Sequence, residues 1–256
     1  MTILKDKKEI EALRDGGKIL ASVLKAVMEE AKPGISSLAL NNLAEKLIRE
    51  AGGRPSFLNY KTVDDKSAYP ASLCVSLNSE VVHGIPSEEK ILKSGDVASF
   101  DIGMEYKKLY TDMAATKLIG HGLAKTENFI KTAKGSLEKG IEAARSGARV
   151  GDISFAVQSF AEKSGFEVVK KLVGHGIGRA AHEDPEVPNF GKKGTGPRLE
   201  EGLVIAIEPM ITFGKSDVFL DKTDQWTWKT KDDSMAAHFE HTIIITKNGA
   251  EVITRA

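Results

Sequence analysis

Four carboxylates stand among apolar or β-branched neighbours: Asp101 follows Val97-Ala98-Ser99-Phe100, Asp112 lies within Leu109–Leu118, Glu208 ends Leu203-Val204-Ile205-Ala206-Ile207, and Glu240 opens Glu240-His241-Thr242-Ile243-Ile244-Ile245. Burying a lone carboxylate beside such runs is costly unless something pairs with it. Met104-Glu105-Tyr106-Lys107-Lys108 is the natural turn between the first two acids. A hairpin centred between Tyr106 and Lys107 sets Asp101 and Asp112 directly opposite each other, about 4.5–5.5 Å apart, where like charges repel. A cation between them turns that cost into binding; the other reading is that Asp112 lies on a solvated face. Glu240 has its own ordinary alternative, an edge-strand acid pointing outwards.

Three imidazoles stand at sharp bends of the chain. His175 lies between Gly174 and Gly176, His182 precedes Glu183-Asp184-Pro185, and His83 precedes Gly84-Ile85-Pro86. Each reads as a loop histidine, and a structural or solvent-exposed role is the common fate of such residues. His182 does not open a helical His-Glu-x-x-His zinc site, because Pro185 denies the helix. Four acids with one imidazole form a hard, oxygen-rich donor set. Such a set suits two adjacent divalent cations, about 3.5–4 Å apart and sharing bridging carboxylates, better than one tetrahedral zinc. A centre of this kind makes hydroxide from water at neutral pH, and the spare histidines would manage the carbonyl and the leaving group.

The elements that must position these groups alternate in blocks. Apolar residues at Ile10, Leu13, Leu20, Leu24 and Val27 predict a helix from Lys7 to Ala31, closed by Lys32-Pro33-Gly34. A second helix runs from a Ser36 or Ser37 cap to Gly52-Gly53, a third from Thr126 to a Gly147 stop, and a fourth from Asp152 to a Gly165 stop. Strands are predicted at Ser72–Leu77, Val97–Ile102, Leu109–Leu118, Glu167–Val173, Leu203–Ile207 and Phe239–Thr246. An internal echo links the halves: Gly95 to Asp101 and Gly202 to Glu208 share a glycine, an apolar strand and a carboxylate at one offset. If it reflects duplication, Asp101 and Glu208 occupy equivalent places.

Composition narrows the class. The chain has 256 residues, 41% of them hydrophobic, which is ample for a core. Its 36 basic and 36 acidic residues balance, so no global field draws it to nucleic acid or an anionic membrane. One cysteine, Cys74, excludes an internal disulfide and a thiolate zinc module, and suits a reducing compartment. Neither a secretory leader nor an apolar run long enough to span a bilayer is present, which predicts a soluble, cytoplasmic protein. Gly174-His175-Gly176-Ile177-Gly178 lacks the Lys-Ser/Thr of a phosphate loop, and no Gly-x-Ser-x-Gly elbow occurs.

Taken in order, His83-Gly84-Ile85-Pro86, Asp101-Ile102-Gly103, Thr111-Asp112, Gly174-His175-Gly176-Ile177-Gly178, His182-Glu183-Asp184-Pro185, Ile207-Glu208-Pro209-Met210 and Phe239-Glu240-His241-Thr242 closely resemble the type I methionine aminopeptidases over nearly the whole chain. The resemblance implies an α+β pita-bread fold, pseudo-twofold, with a curved antiparallel sheet inside and helices packed outside. It also implies a single catalytic domain over 1–256 with halves at roughly 1–120 and 121–256. Carried over position by position, Asp101, Asp112, His175, Glu208 and Glu240 match the ligands of two divalent metal ions (Co, Mn, Fe, Zn or Ni), with Asp112 and Glu240 serving both. Glu208 also takes a proton from the bridging water, His182 matches the histidine that steadies the scissile carbonyl, and His83 the one that contacts the amide being cleaved. The substrate's free amine fills a remaining metal position. Phe57, Tyr60, Tyr69, Cys74 and Trp226 match the methionine pocket. Ala181, before His182, stands where many relatives are bulkier; Thr62–Ala68 is longer than in many; and His238 replaces a frequent glutamine, sharing the face of Glu240 if both lie on one strand, where it either supports the metal ligands from behind or, as the commoner fate, points to solvent. The implied activity is removal of the initiator methionine from nascent polypeptides when the second residue is small, by a cytoplasmic monomer in transient contact with the ribosome and without nucleic-acid specificity. With the first helix beginning almost at Met1, no zinc-finger extension is expected. X-Pro cleavage and a catalytically inactive binding protein on the same fold are the competing readings.

Overall fold

The computed structural model of the chain describes residues 1–63 and 65–255, so the expectation for Thr62–Ala68 falls partly, at Asp64, outside the described residues. Four helices form where the sequence predicts them, with ends shifted by a few residues. α1 (Lys7–Glu30) starts at Asp6, whose carboxylate accepts from the Lys8 and Glu9 amides, and α2 (Ser37–Glu50) starts at Ser36, whose hydroxyl accepts from the Ala39 amide. α3 (Ala124–Ala143) stops before Gly147, which instead donates its amide to the Leu199 carbonyl in the turn beyond. α4 (Val150–Lys163) begins two residues earlier than its acidic signal, with Asp152 in the first turn accepting from the Arg149 amide. It closes ahead of Gly165, at φ +84°.

The strands, in chain order, are β1 (Arg54–Pro55), β2 (Cys74–Leu77), β3 (Glu80–Val82), β4 (Val97–Tyr106), β5 (Leu109–Leu118), β6 (Glu167–Val168), β7 (Val173–Gly176), β8 (Glu183–Pro188), β9 (Val204–Ile207), β10 (Met210–Thr212), β11 (Val218–Leu220), β12 (Trp228–Thr230), β13 (Ala236–His238), β14 (Glu240–Thr246) and β15 (Gly249–Val252). Nine of them build one antiparallel sheet in the order β1-β4-β5-β14-β9-β7-β8, with β2 also on β4 and β15 also on β14. Two three-stranded sheets, β13-β10-β6 and β11-β12-β3, flank it. The predicted Glu167–Val173 strand is two separate pieces, β6 and β7, joined by Val169–Leu172.

Each helix pair closes its own core. Leu20, Leu24 and Val27 of α1 and Leu40, Ala44 and Ile48 of α2 pack against Phe100, Ile102 and Met104 of β4. Phe129, Ala133 and Leu137 of α3 and Ile153 and Val157 of α4 pack against Ile205, Ile207, Ile243 and Ile245 of β9 and β14. One sheet face is thus sealed by helices, and the other is free to carry polar groups. No helix among the described residues is long and apolar enough to cross a membrane.

The hairpin that carries the two aspartates differs from expectation. Its turn residues are Lys107 and Lys108, both left-handed at φ +50° and +66°, so Tyr106 pairs with Leu109 and the ladder shifts by two. Asp101 therefore faces Ala114, and Asp112 faces Gly103. The two acids are diagonal neighbours on one face, not directly opposed.

Candidate metal centre and substrate cavity

Antiparallel register converts scattered sequence positions into two lateral rows on the face away from the helices. In the first row Cys74 faces Asp101, Asp101 faces Ala114, and Ala114 faces Glu240. His241 pairs with Ile207, so one further step sets Glu208 opposite Glu240. The second row holds Gly103, Asp112, Thr242 and Ala206, with His175 brought alongside by the Gly176–Ile205 pairing. Small residues at 103, 114 and 206 leave the space between the donors open. Glu240 is therefore no outward edge-strand acid, and Asp112 no solvated one: they are 2% and 3% exposed.

His175, expected in a loop, lies on β7. Its flanking glycines serve close strand approach, since a Cβ at 174 would stand 2.6 Å from the Ala206 carbonyl oxygen. The ring Nδ1 is 2.9 Å from the Gly176 carbonyl, to which it donates, leaving Nε2 aimed at Glu208 Oε1, 3.5 Å away.

The strand carrying Asp112 is held by an inserted hydroxyl. Thr242 Oγ1 accepts from the Asp112 amide and donates to the Asp112 carbonyl, both at 2.8 Å, where a backbone pair would otherwise form. Four residues away, Thr116 does the same for His238, accepting from its amide at 2.9 Å and donating to its carbonyl at 2.7 Å. Thr242 closes the Phe239-Glu240-His241-Thr242 motif and Thr116 belongs to none, and nothing in the local pattern of either marks this role. His238 does not reach solvent: it is 1% exposed, with Nε2 3.3 Å from Glu208 Oε2.

Electrostatics show that these acids are incomplete as they stand. Asp101 Oδ1, Asp112 Oδ1 and Glu240 Oε1 are buried without a hydrogen-bond partner. Burial, followed by the neighbouring acids, raises Asp112 and Glu240 well above the usual carboxylate range, and burial raises Asp101 to about 6. Glu208 goes the other way: burial pushes it up, but the contacts with His238 and His175 outweigh that and leave it below its ordinary value. Orphaned oxygens converging on one spot fit a cation. Asp112, His175 and Glu240 each offer a donor atom within 4.8 Å of the others, and so do Glu208, His238 and Glu240. Asp101 stands beside both sets without belonging to either.

An apolar cavity of about 500 Å³, counting its mouth, opens next to this cluster and is lined by all twelve residues singled out as catalytic, metal or pocket positions. Its buried end is Phe57, Tyr69 and Cys74, with the Trp226 ring edge-on to Tyr69 at 5.3 Å. Phe57 reaches this position over Gly103, where a Cβ would meet its ring at 2.7 Å. At the mouth, His182 Nδ1 is 2.8 Å from the Tyr60 hydroxyl and its ring centroid 4.3 Å from that of His175. Desolvation and then the His175 imidazole push His182 down to about 3, and desolvation takes the His83 ring, packed near Trp226, to about 4. Both rings are neutral at pH 7. Tyr60 is fixed despite the segment after it, because its carbonyl accepts from the Tyr69 amide and its own amide donates to Phe57. Ala181 is buried but outside the cavity lining. His241 points to the other face, its Nδ1 2.9 Å from the Thr254 hydroxyl, and His121 lies on an exposed loop.

The sequence signature of metallopeptidase family M24 matches residues 11–247. The chain belongs to that family. It is 45% identical over 255 residues to a methionine aminopeptidase of Aquifex aeolicus, covering 98% of each chain. The crystal structure of methionine aminopeptidase from Thermotoga maritima superimposes with a TM-score of 0.94 at 39% identity, over the full length of both chains. A prolidase from Pyrococcus horikoshii shares the fold, with a TM-score of 0.75 at 22% identity over 99% of this chain and 64% of the other. The curved antiparallel sheet with helices on one side is therefore the pita-bread fold of M24, and divalent metal use follows from the family together with the donor cluster.

Proposed function

We propose that this chain is a methionyl aminopeptidase that removes the initiator methionine from nascent polypeptides whose second residue is small. The observation that carries the reading is the pair of donor rows, with three orphaned carboxylate oxygens, set against an aromatic cavity with two neutral imidazoles at its entrance.

Asp101, Asp112, His175, Glu208 and Glu240 would hold the metal. Four acids in that set balance two divalent cations, which favours a dinuclear centre, and cobalt, manganese, iron, zinc and nickel all accept such donors. Bound there, the metal supplies Lewis acidity toward water and the scissile carbonyl. The remaining work falls to the chain. Glu208, kept ionised by its two imidazole neighbours, takes the proton of the attacking water. The Tyr60 hydroxyl donates to His182 Nδ1, which fixes the tautomer with hydrogen on Nε2, and that N–H donates to the developing oxyanion. His83 is positioned toward the amide nitrogen by its left-handed backbone, φ +60°, and by its carbonyl accepting from Thr227. The side chain of the first residue enters between Phe57, Tyr69, Cys74 and Trp226, where a thioether packs well against the rings.

We read residues 1–256 as one catalytic domain of two related halves, acting as a cytoplasmic monomer in transient contact with the ribosome; the two separate helix-pair cores support the halves. Purified protein loaded in turn with Co, Mn and Fe should release methionine from Met-Ala-Ser and leave Ala-Pro peptides intact. Failure with every metal, or preference for Ala-Pro, would overturn the reading.

A further inference from the structure

His182 stands on the turn between β7 and β8, and its ring has one hydrogen-bond partner among the described residues, the Tyr60 hydroxyl at 2.8 Å. The residue is exposed, so the place of the ring at the cavity mouth depends on the backbone that carries it. The turn's internal hydrogen bond, from the Gly178 amide to the Ala180 carbonyl, is long at 3.2 Å. Glu183, next in the chain, supplies what the turn lacks. Its Oε1 accepts from the Arg179 amide at 2.8 Å and the Ala180 amide at 2.9 Å. Both of its oxygens accept from the Thr2 hydroxyl, at 2.7 and 2.9 Å, and the Met1 amino group lies 3.0 Å from Oε2. Burial pushes the Glu183 carboxyl up, but these donors outweigh it and leave the group below its ordinary value.

The second observation is where Thr2 is held. Thr2 is 2% exposed, and its hydroxyl also accepts from the Arg179 amide at 3.1 Å. Its carbonyl accepts from the Val204 amide at 3.1 Å, Ile3 bridges to Leu203, and the Leu4 amide donates to the Gly202 carbonyl at 2.8 Å. Thr2 is therefore fastened to β9, the strand that leads into Glu208. The turn lies directly against it: Gly178 is left-handed at φ +135°, and a Cβ there would stand 2.7 Å from Thr2 Cγ2. Charge-assisted bonds to a largely buried carboxylate hold the turn more firmly than the Arg179–Glu9 pair, which is short at 2.7 Å but mostly in water. Glu183 neither lines the cavity nor belongs to the donor cluster, so any effect it has on the reaction must pass through a neighbour.

We propose that Glu183 is a positioning residue for His182: together with Thr2 it clamps the Arg179–Ala180 turn to the N-terminal segment and so fixes the imidazole at the cavity mouth. This rests on the aminopeptidase reading, in which His182 donates to the developing oxyanion. Released from the clamp, the turn would let the ring leave Tyr60, and with it the bond that selects the tautomer with hydrogen on Nε2.

Two measurements test this. In long-range proton–nitrogen spectra of the purified protein with Zn(II) as a diamagnetic ion, the His182 signals are assigned by their loss in His182→Ala. Wild type should show the single Nε2–H tautomer, and Glu183→Ala should show the two nitrogens averaged. Glu183→Gln should restore the wild-type pattern, because its Oε1 still accepts from both amides. In turnover of Met-Ala-Ser, Glu183→Ala should lower kcat by about 10–100-fold with KM within about twofold, since a misplacement near 1 Å costs about 10²-fold. The same change made in His182→Ala should cost less than about twofold more. A wild-type tautomer pattern retained in Glu183→Ala, or an equal loss with and without His182, overturns the proposal. Absence of methionine release by wild type with any metal overturns the aminopeptidase reading alone, and the imidazole spectra then decide the positioning. If Glu183→Ala does not fold, Thr2→Val, which removes the hydroxyl shared by Glu183 and the Arg179 amide, carries the same spectral test.

Discussion

Replacing Asp101 by asparagine should stabilise the metal-free protein and destabilise the metal-loaded one. Asp101 is 7% exposed, and burial raises its carboxyl from 3.8 to about 6. A group raised in this way contributes stability that is full below its unfolded value and lost as pH climbs through its folded value, so the loss falls between about pH 4 and 6. At 1.36 kcal/mol for each tenfold in proton affinity, the ionised acid costs the metal-free fold about 3 kcal/mol by pH 7. Asparagine removes that cost, and relieves Asp112 and Glu240, both of which Asp101 raises. For a chain of this size about 3 kcal/mol corresponds to roughly 6–12 °C. Calorimetric scans in chelator at pH 4, 5, 6 and 7 should show wild type losing melting temperature faster than Asp101→Asn, with the variant higher at pH 7. Saturating Mn(II) should reverse the order. Wild type that stays flat from pH 4 to 7 in chelator, or a variant that is less stable there, would refute the view that this acid is held at a cost which metal offsets.

Glu208→Gln should lower kcat by about 10²–10⁴-fold, the usual contribution of a general base, with the circular dichroism spectrum unchanged. His182→Ala should reduce kcat by about 10²–10³-fold, and Tyr60→Phe by less, because the phenol only fixes the tautomer; equal losses in both would place the tyrosine itself at the reacting atoms. Thr242→Val, similar in size, leaves the Asp112 amide and carbonyl unpaired in a buried strand, and should cost about 2–4 kcal/mol in chemical denaturation and weaken metal binding. Ala181→Phe, buried but away from the cavity lining, should destabilise by about 1–3 kcal/mol through overpacking and leave the side-chain preference at the first residue unchanged when measured across a peptide series.

How much was legible in advance depends on the range over which each feature is decided. End signals are local, so Pro33-Gly34, Ser36 and Gly165 reported helix ends that the structure reproduces within a few residues, while the Asp6 cap went unread. The hairpin failed because two left-handed lysines make its turn, where asparagine or glycine is the usual signal, and a two-residue shift in register moved Asp112 from Asp101 to Gly103. His175 read as a loop because glycines flank it, yet those glycines let β7 press against β9. Short pieces such as β3, β10 and β13 carry too few residues to show a period.

The candidate site was legible as residue types but not as an arrangement, and the reason lies in the sheet. Its donors come from five strand segments and meet along rows that run across the strands, so only Asp101 and Asp112, on the two arms of one hairpin, are near each other in sequence. What brings them together is register, and register here is held at two points where backbone pairing gives way to a threonine hydroxyl, at Asp112 and at His238. Between those points only Glu240 and His241 pair normally with β5. The bridged positions keep both neighbours' polar groups satisfied while the strands separate, so Asp112 and His238 can present side chains to the same face as Glu240 without stranding buried amides. A threonine-to-valine change at either bridge should therefore disturb the donor rows before it disturbs the helices, because Thr116 and Thr242 alternate onto the sheet face of Asp112 and Glu240, opposite the helix-pair cores.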